Sequence, residues 1–415
     1  MSLLGLDIRI VGGGIGGLAA ALCLAGRGAQ VTVLEQAEAI REVGAGLQIS
    51  PNGLRVIEAL GLAPELAARS AEGRAVSLRD FRAGDEVARL DLGLLPRDQR
   101  YFFVHRADLI DLLVTEARAR GVRFRLLQKV AEVRPGAGPE LVMANGDACT
   151  ADLVIGADGL HSRLREALIG PASPQFTGQV AWRAVIPNVT GQGAEVQVHM
   201  GPGRHLVCYP LRDGSVLNLV AAQERAAWAE EGWQHRDDPA NLRAAFAGFG
   251  PAVQRMLGAV EAVHLWGLFR HRVAPRWVGG HCALLGDAAH PTLPYLAQGA
   301  NMALEDAWAL GACLAGHEDI GAGLAAYQAL RMARCQKIVA AATGNSANDA
   351  VNQFEKLFFN TPESAAKVII KGVEKNRRRV LIGPDARVFD FLARAFPAGY
   401  QRLFTFAVKS RRQAH

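Results

Sequence analysis

The sequence predicts an α/β chain: a parallel-sheet unit, an antiparallel sheet inserted into it, and a helical C-terminal tail. Three observations carry this. A short apolar strand enters a glycine-rich turn and an Ala/Leu-rich helix at "DIRIVGGGIGGLAAALCLAG", from Asp7. Between about Pro174 and Trp266 the pattern turns to alternation with many β-branched residues, the mark of half-buried strands. A further apolar run then closes on Gly286-Asp287, and a helical pattern starts at "QGAN".

Size and charge bound the reading. A chain of 415 residues is too long for one small core. Half of it is hydrophobic, yet no apolar run approaches the ~20 residues of a membrane span. The N-terminus meets a strand with no basic leader, so no secretory signal is expected. Six scattered cysteines without CxxC or a His/Cys cluster read as buried thiols in a reducing cytoplasm, with no metal site. The formal charge of +6 is uneven. Val351 to His415 holds 13 Lys and Arg against 5 Asp and Glu, while the rest holds 33 against 35. A body this close to neutral argues against nucleic-acid binding.

The first strand, Ile8 to Val11, runs into Gly12, Gly14 and Gly17, a GxGxxG pattern. Gly12 suits the tight turn, Gly14 lets backbone approach a pyrophosphate, and Gly17 lets the helix lie close to the strand. The helix N-terminus offers free N–H groups to phosphate. "QVTVLE" is a second strand ending at Glu35, about 20 residues on, placed to accept both ribose hydroxyls. Strand, helix, strand and acid in order mark a dinucleotide site, NAD and FAD alike.

Later stretches choose between them. "DLVIGADGLHSRLREAL" puts Asp158-Gly159 at a strand end, followed by Ser162 and Arg165. It resembles the DG fingerprint of flavoprotein hydroxylases. "CALLGDAAHPTLPYLAQGANMALEDAWAL" resembles that family's second FAD fingerprint. "GAGLQISPNGLRVIEALGL", "VHRADLIDLL", "TGQVAWRAVIP" and "GPGRHLVCYPL" complete the order. Over about Asp7 to Ala347 the chain resembles the class A FAD-dependent aromatic hydroxylases of the salicylate, 3-hydroxybenzoate and 6-hydroxynicotinate group. The resemblance implies a Rossmann-like FAD domain at 1–75, 100–173 and 270–347. A substrate-binding sheet is expected at 76–99 and 174–269, and a basic helical tail at 348–415. Asp287 is implied at the ribityl chain of non-covalently bound FAD. Gly299, Ala300 and Asn301 would bring helix N–H groups to the flavin's N1–C2=O edge; Asn301 also suits an ordinary helix cap. Arg106 and Arg41 match arginines that contact FAD, and each also reads as an exposed basic residue. Asp158 suits either a helix cap or the cofactor. Pro291 and Pro294 hold a turn beside the ring, and His290 reads as structural.

In "RHLVCYPL", His205, Val207 and Tyr209 share one strand face, with the outer two ~13 Å apart. The HxxxY spacing is similar to family members that use this pair at the substrate; a structural sheet histidine fits the residues too. Gln48, Gln298 and Pro294 would face the substrate ring. Arg183 suits a substrate carboxylate or a structural acid.

What the resemblance implies is a single-component monooxygenase. NADH or NADPH reduces FAD, O2 adds to give a flavin C4a-hydroperoxide, and a small phenolic acid is hydroxylated, with His205 as base. No separate nicotinamide unit is present. Two alternatives stay open: a flavin-binding protein without hydroxylase activity, and another flavoenzyme such as a halogenase relative. A homodimer is compatible with the sequence. After "VAAATGNSANDA" the pattern stops, and the tail resembles the end of a short-chain dehydrogenase. No tyrosine has lysine four residues later, so that chemistry is excluded. The tail reads as a fusion that packs on the body or a partner subunit, as a membrane-surface helix, or as a solvated basic face.

Overall fold

Asp7–Val11 is the middle strand of a five-stranded parallel sheet in the computed structural model, which describes residues 2–40, 45–96, 98–171, 173–225 and 235–342. From one edge the order is Cys282–Leu284, Leu153–Gly156, Asp7–Val11, Gln30–Leu34 and Arg123–Arg125. Every pair is parallel. Ile8, Ile10, Val31, Val33, Val154 and Ile155 are buried, as expected of strands covered on both faces. Helix Ile15–Ala25 packs there, with Leu18 to Leu24 almost wholly buried.

An eight-stranded sheet forms the second layer. Its order is Arg236–Asp237, Val263–Arg270, Gln175–Pro187, Val216–Glu224, Arg204–Leu211, Glu195–Gly201, Ala75–Asp80 and Glu86–Asp91. The three strands legible as alternating runs pair antiparallel as expected. One pair departs from an all-antiparallel sheet: Ala75–Asp80 lies parallel to Glu195–Gly201. It comes from an earlier excursion of the chain, so no hairpin forces it to run the other way.

Strand alternation divides this sheet cleanly. Trp182, Leu206, Cys208 and Leu219 join Phe246 and Leu257 in a core under helices Pro239–Ala245 and Pro251–Gly258. The opposite face carries Ala181, Arg183, His205, Val207 and Tyr209. Ala181, Trp266 and Leu268 there pack on Leu293, and Tyr209 packs on Phe103. A small sheet of Gly46–Ile49, Phe102–His105 and Ser70–Glu72 lies against this face. It is pinned by the Gly46 N–H, which donates to Asn218 Oδ1 at 2.7 Å. A three-stranded meander, Val130–Arg134, Glu140–Met143 and Ala148–Thr150, sits in the crossover before Leu153.

All six cysteines are unpaired; four are buried, whereas Cys149 and Cys313 are half-buried, short of the full burial expected. No helix among the described residues is long and apolar enough to cross a membrane. The tail at 348–415 lies outside the described residues, and so does Arg41.

Candidate active site

The glycine-rich turn is closed on one side and open on the other. Gly12 has φ +104°, and a Cβ there would stand 2.3 Å from the Ala157 carbonyl oxygen. A Cβ on Gly17 would stand 2.1 Å from the Gly12 oxygen, so strand and helix meet in backbone contact. Gly14, the residue that caps helix Ile15–Ala25, has nothing within 4 Å of such a Cβ, and no side chain caps the helix. The orphan N–H groups therefore face open space, the geometry an anionic phosphate fills. Glu35 is half-buried. It accepts the Gly13 N–H at 2.8 Å and the Ala37 N–H at 2.9 Å. It braces the turn first, and its remaining lone pairs are what a ribose would meet.

Opposite stands the Asp158 corner. Asp158 Oδ2 accepts the Arg163 N–H at 2.8 Å, while Oδ1 is buried with no hydrogen bond. Burial raises its carboxyl above the usual range. Ser162 caps the next helix by accepting the Arg165 N–H at 2.9 Å. Arg165 is buried and donates to the carbonyls of Arg272 (2.6 Å) and Ala288 (3.3 Å). It thereby joins the Asp158 corner to the turn that bears Asp287.

Asp287 lies in the one-turn 3-10 helix Gly286–Ala288, directly after strand Cys282–Leu284. Its side chain is exposed, yet protein surrounds it closely. That crowding raises its carboxyl, and the charges of His290, Arg106 and His271 pull it back down. Arg106, at the start of helix Arg106–Ala119, is thus brought to the same place. Pro294 begins a 3-10 turn, Pro294–Leu296, and helix Gly299–Gly316 starts after Gln298 with no side-chain cap. The N–H groups of Gly299 and Ala300 are open at that end.

Asn301 departs from the sequence reading of an ordinary helix cap. It is fully buried and is not the cap; its Nδ2 donates to the Gln48 and Ala297 carbonyls, and its Oδ1 accepts the Ser50 N–H. Only its backbone faces the helix end. Gln298 turns toward Ser50 and Asn52, with its amide donating to Ser50 Oγ at 3.0 Å.

The sheet face above gathers the remaining candidates. His205 lies beside Tyr295, ring centroids 6.1 Å apart, and Tyr295 donates its hydroxyl to Gln179. Burial lowers the His205 pKa, so its imidazole is neutral at neutral pH. It lines a cavity of about 400 Å³ with Gln179, Met200, Arg204 and Glu224. At the other end of the strand, Tyr209 is buried against Phe103 and within hydrogen-bond reach of Gln48. Gln48 Oε1 also accepts the Tyr101 hydroxyl at 2.7 Å. Arg183 stacks on Trp266 at 4.7 Å. The sequence had not singled out Tyr101, Trp266 or Tyr295. Tyr101 stands just before the VHR stretch and Tyr295 inside the GDAAH loop, and those positions were the available signals.

The site's residues fit FAD: open N–H groups at two helix ends, an unspent buried oxygen on Asp158, and an exposed carboxylate on Asp287 aimed out of a tight turn. Together with a parallel sheet and a covering antiparallel sheet, they define a flavin-binding monooxygenase fold. A family model described as "FAD binding domain" matches residues 6–342, and the chain belongs to this family, as an FAD-dependent aromatic hydroxylase. It is 36% identical over 340 residues to 3-amino-4-hydroxybenzoate 2-monooxygenase PtnB3 of Streptomyces platensis, covering 80% of this chain and 85% of that one. It is 37% identical over 343 residues to 3-hydroxybenzoate 6-hydroxylase of Klebsiella oxytoca, covering 80% and 85%. Among solved structures, Klebsiella pneumoniae HpxO complexed with FAD and uric acid superimposes with a TM-score of 0.73 at 28% identity, covering 86% and 94%.

Proposed function

We propose that this enzyme hydroxylates the ring of a small phenolic or amino-phenolic carboxylic acid, using NADH or NADPH and O2. Bound FAD, reduced by the nicotinamide, supplies the oxygen-activating chemistry. The parallel sheet and its loops carry the cofactor, and the inner face of the eight-stranded sheet carries the substrate. Relatives that act on 3-amino-4-hydroxybenzoate and 3-hydroxybenzoate support this class of acid.

The observation that carries the reading is His205. It stands on the sheet face over the Pro291–Gln298 loop and beside a cavity, with burial keeping it unprotonated. A neutral imidazole takes the proton from a phenol, which raises electron density in the ring to be attacked. Tyr209, Gln48 and Tyr101 form a hydroxyl–amide cluster that orients polar substituents. Trp266, Leu268 and Leu293 wall the face against water, which favours coupling over wasteful oxygen reduction. Six unpaired cysteines and a nicotinamide co-substrate suit a reducing, cytoplasmic setting.

The test is a panel of hydroxybenzoates, aminohydroxybenzoates and hydroxypyridine carboxylates, followed by NAD(P)H loss and product mass. At least one acid should stimulate NAD(P)H oxidation and gain one oxygen atom. A yellow protein that none of them stimulates would instead be a flavin-binding protein without this activity.

A further inference from the structure

Asp287 is presented by a turn that is fastened from beneath. Asp306 Oδ2 accepts the Gly286 N–H at 3.0 Å and also binds His290 Nε2, so one carboxylate holds the residues on both sides of Asp287. Its other oxygen, Oδ1, accepts Arg331 Nε at 2.7 Å. His290 and Asp306 are 0% exposed and Arg331 is 5% exposed. The turn's backbone is closed as well, since the Gly286 carbonyl accepts the Ala289 and His290 N–H groups at 2.9 and 2.8 Å. By contrast the Asp287 side chain has no hydrogen bond or ion pair among the described residues and is exposed.

Burying this ion network is a poor route to stability alone. Well-packed apolar residues often do as well or better, because desolvating charges costs several kcal/mol. What the network adds is geometry: it leaves the Gly286–Ala288 turn one place to sit, with Gly286 held at φ +59°. His290, Asp306 and Cys335 also bring potential ligand atoms within 4.8 Å of one another. Arg331 already supplies the cation that faces Asp306 there.

We propose that Asp306 is a positioning residue for Asp287, setting through Gly286 and His290 where the Asp287 carboxylate meets the cofactor's ribityl hydroxyls. This rests on the reading of Asp287 as a ribityl contact. The test is a double-mutant cycle on FAD affinity, titrating FAD into apo-protein and following flavin fluorescence. The four forms are the parent, Asp287→Asn, Asp306→Asn and the double variant. Each single change should weaken binding about tenfold, and Asp306→Asn should add less than about threefold in the Asp287→Asn background. An equal loss in both backgrounds shows that Asp306 does not act through Asp287 and overturns the inference. If Asp287→Asn alone binds FAD as the parent does, the ribityl reading fails instead. Should Asp306→Asn not fold, His290→Gln takes its place in the cycle with the same expected coupling, and additive losses again reject the proposal.

Discussion

Acidification should destabilise this protein through one residue outside the active site. His199, on strand Glu195–Gly201, is 2% exposed, and neither ring nitrogen has a hydrogen-bond partner. Burial, with the nearby Arg79 charge, lowers its pKa from 6.5 to about 4. The charged form is therefore disfavoured in the folded state and not in the unfolded one. Above pH 6.5 neither state takes up the proton and the fold keeps its full stability. As the pH falls from 6.5 toward 4, the unfolded chain gains protons that the folded chain refuses, and stability is lost. At about 1.4 kcal/mol per pKa unit the whole effect is roughly 3 kcal/mol, of which roughly 2 is lost by pH 5. Other titrating groups add their own slope, so the informative quantity is a difference between two proteins. His199→Leu removes the titration and fills the site with an apolar side chain. Thermal melts with saturating FAD at pH 7.5 and pH 5 should show the parent losing a few degrees more than the variant. Equal losses in the two proteins would mean that His199 finds a proton partner the structure does not show, and the argument would fall.

Other outcomes follow from the site. His205→Ala should retain FAD yet lose about 10²–10⁴ in hydroxylation rate, with the loss shrinking at high pH where the phenol ionises unaided; steady-state assays with peroxide detection check this, and parent-like rates at neutral pH would leave His205 a structural sheet residue. Tyr101→Phe removes the donor to Gln48 and should raise KM or peroxide leakage several-fold while leaving the flavin spectrum unchanged. Gly17→Ala forces a Cβ into the Gly12 carbonyl at 2.1 Å, so the turn must open and the purified protein should be nearly colourless; a full complement of flavin would show that the turn tolerates the shift.

How much of this was legible depends on the range of the interaction. The first strand, turn and helix were readable because local rules govern them: only glycine tolerates the backbone contacts at positions 12 and 17. The alternating runs at 195–224 gave the antiparallel core of the second sheet for the same reason. The resemblance placed 76–99 with this sheet, but the parallel pairing of Ala75–Asp80 was not readable, because its partner Glu195–Gly201 lies far along the chain. Asn301 shows the limit most clearly. Its position near a helix start suggested a cap, but its amide is committed to Gln48, some 250 residues earlier. Nothing local in the sequence marks Asp306 and Arg331, since their burial and their ion pair arise only from packing of two helices. At His205 and Tyr209 the spacing gave the shared face, while their separate neighbourhoods, one beside Tyr295 and the other against Phe103, emerged only from packing.

The order of strands also has a consequence for how the chain matures as it is made. Strand Cys282–Leu284 completes the parallel sheet by pairing with Leu153–Gly156, and most of the eight-stranded sheet is encoded between them. Ala75–Asp80 leaves the ribosome long before Glu195–Gly201 and waits for it with one edge unpaired. Each sheet thus waits for a segment made more than 100 residues after its first strands. At translation rates of about 5–20 residues per second, that exposure lasts on the order of ten seconds. Asp287 emerges only after both sheets have all their strands, so any cofactor contact it makes becomes possible late in synthesis, on a scaffold whose two sheets are already encoded.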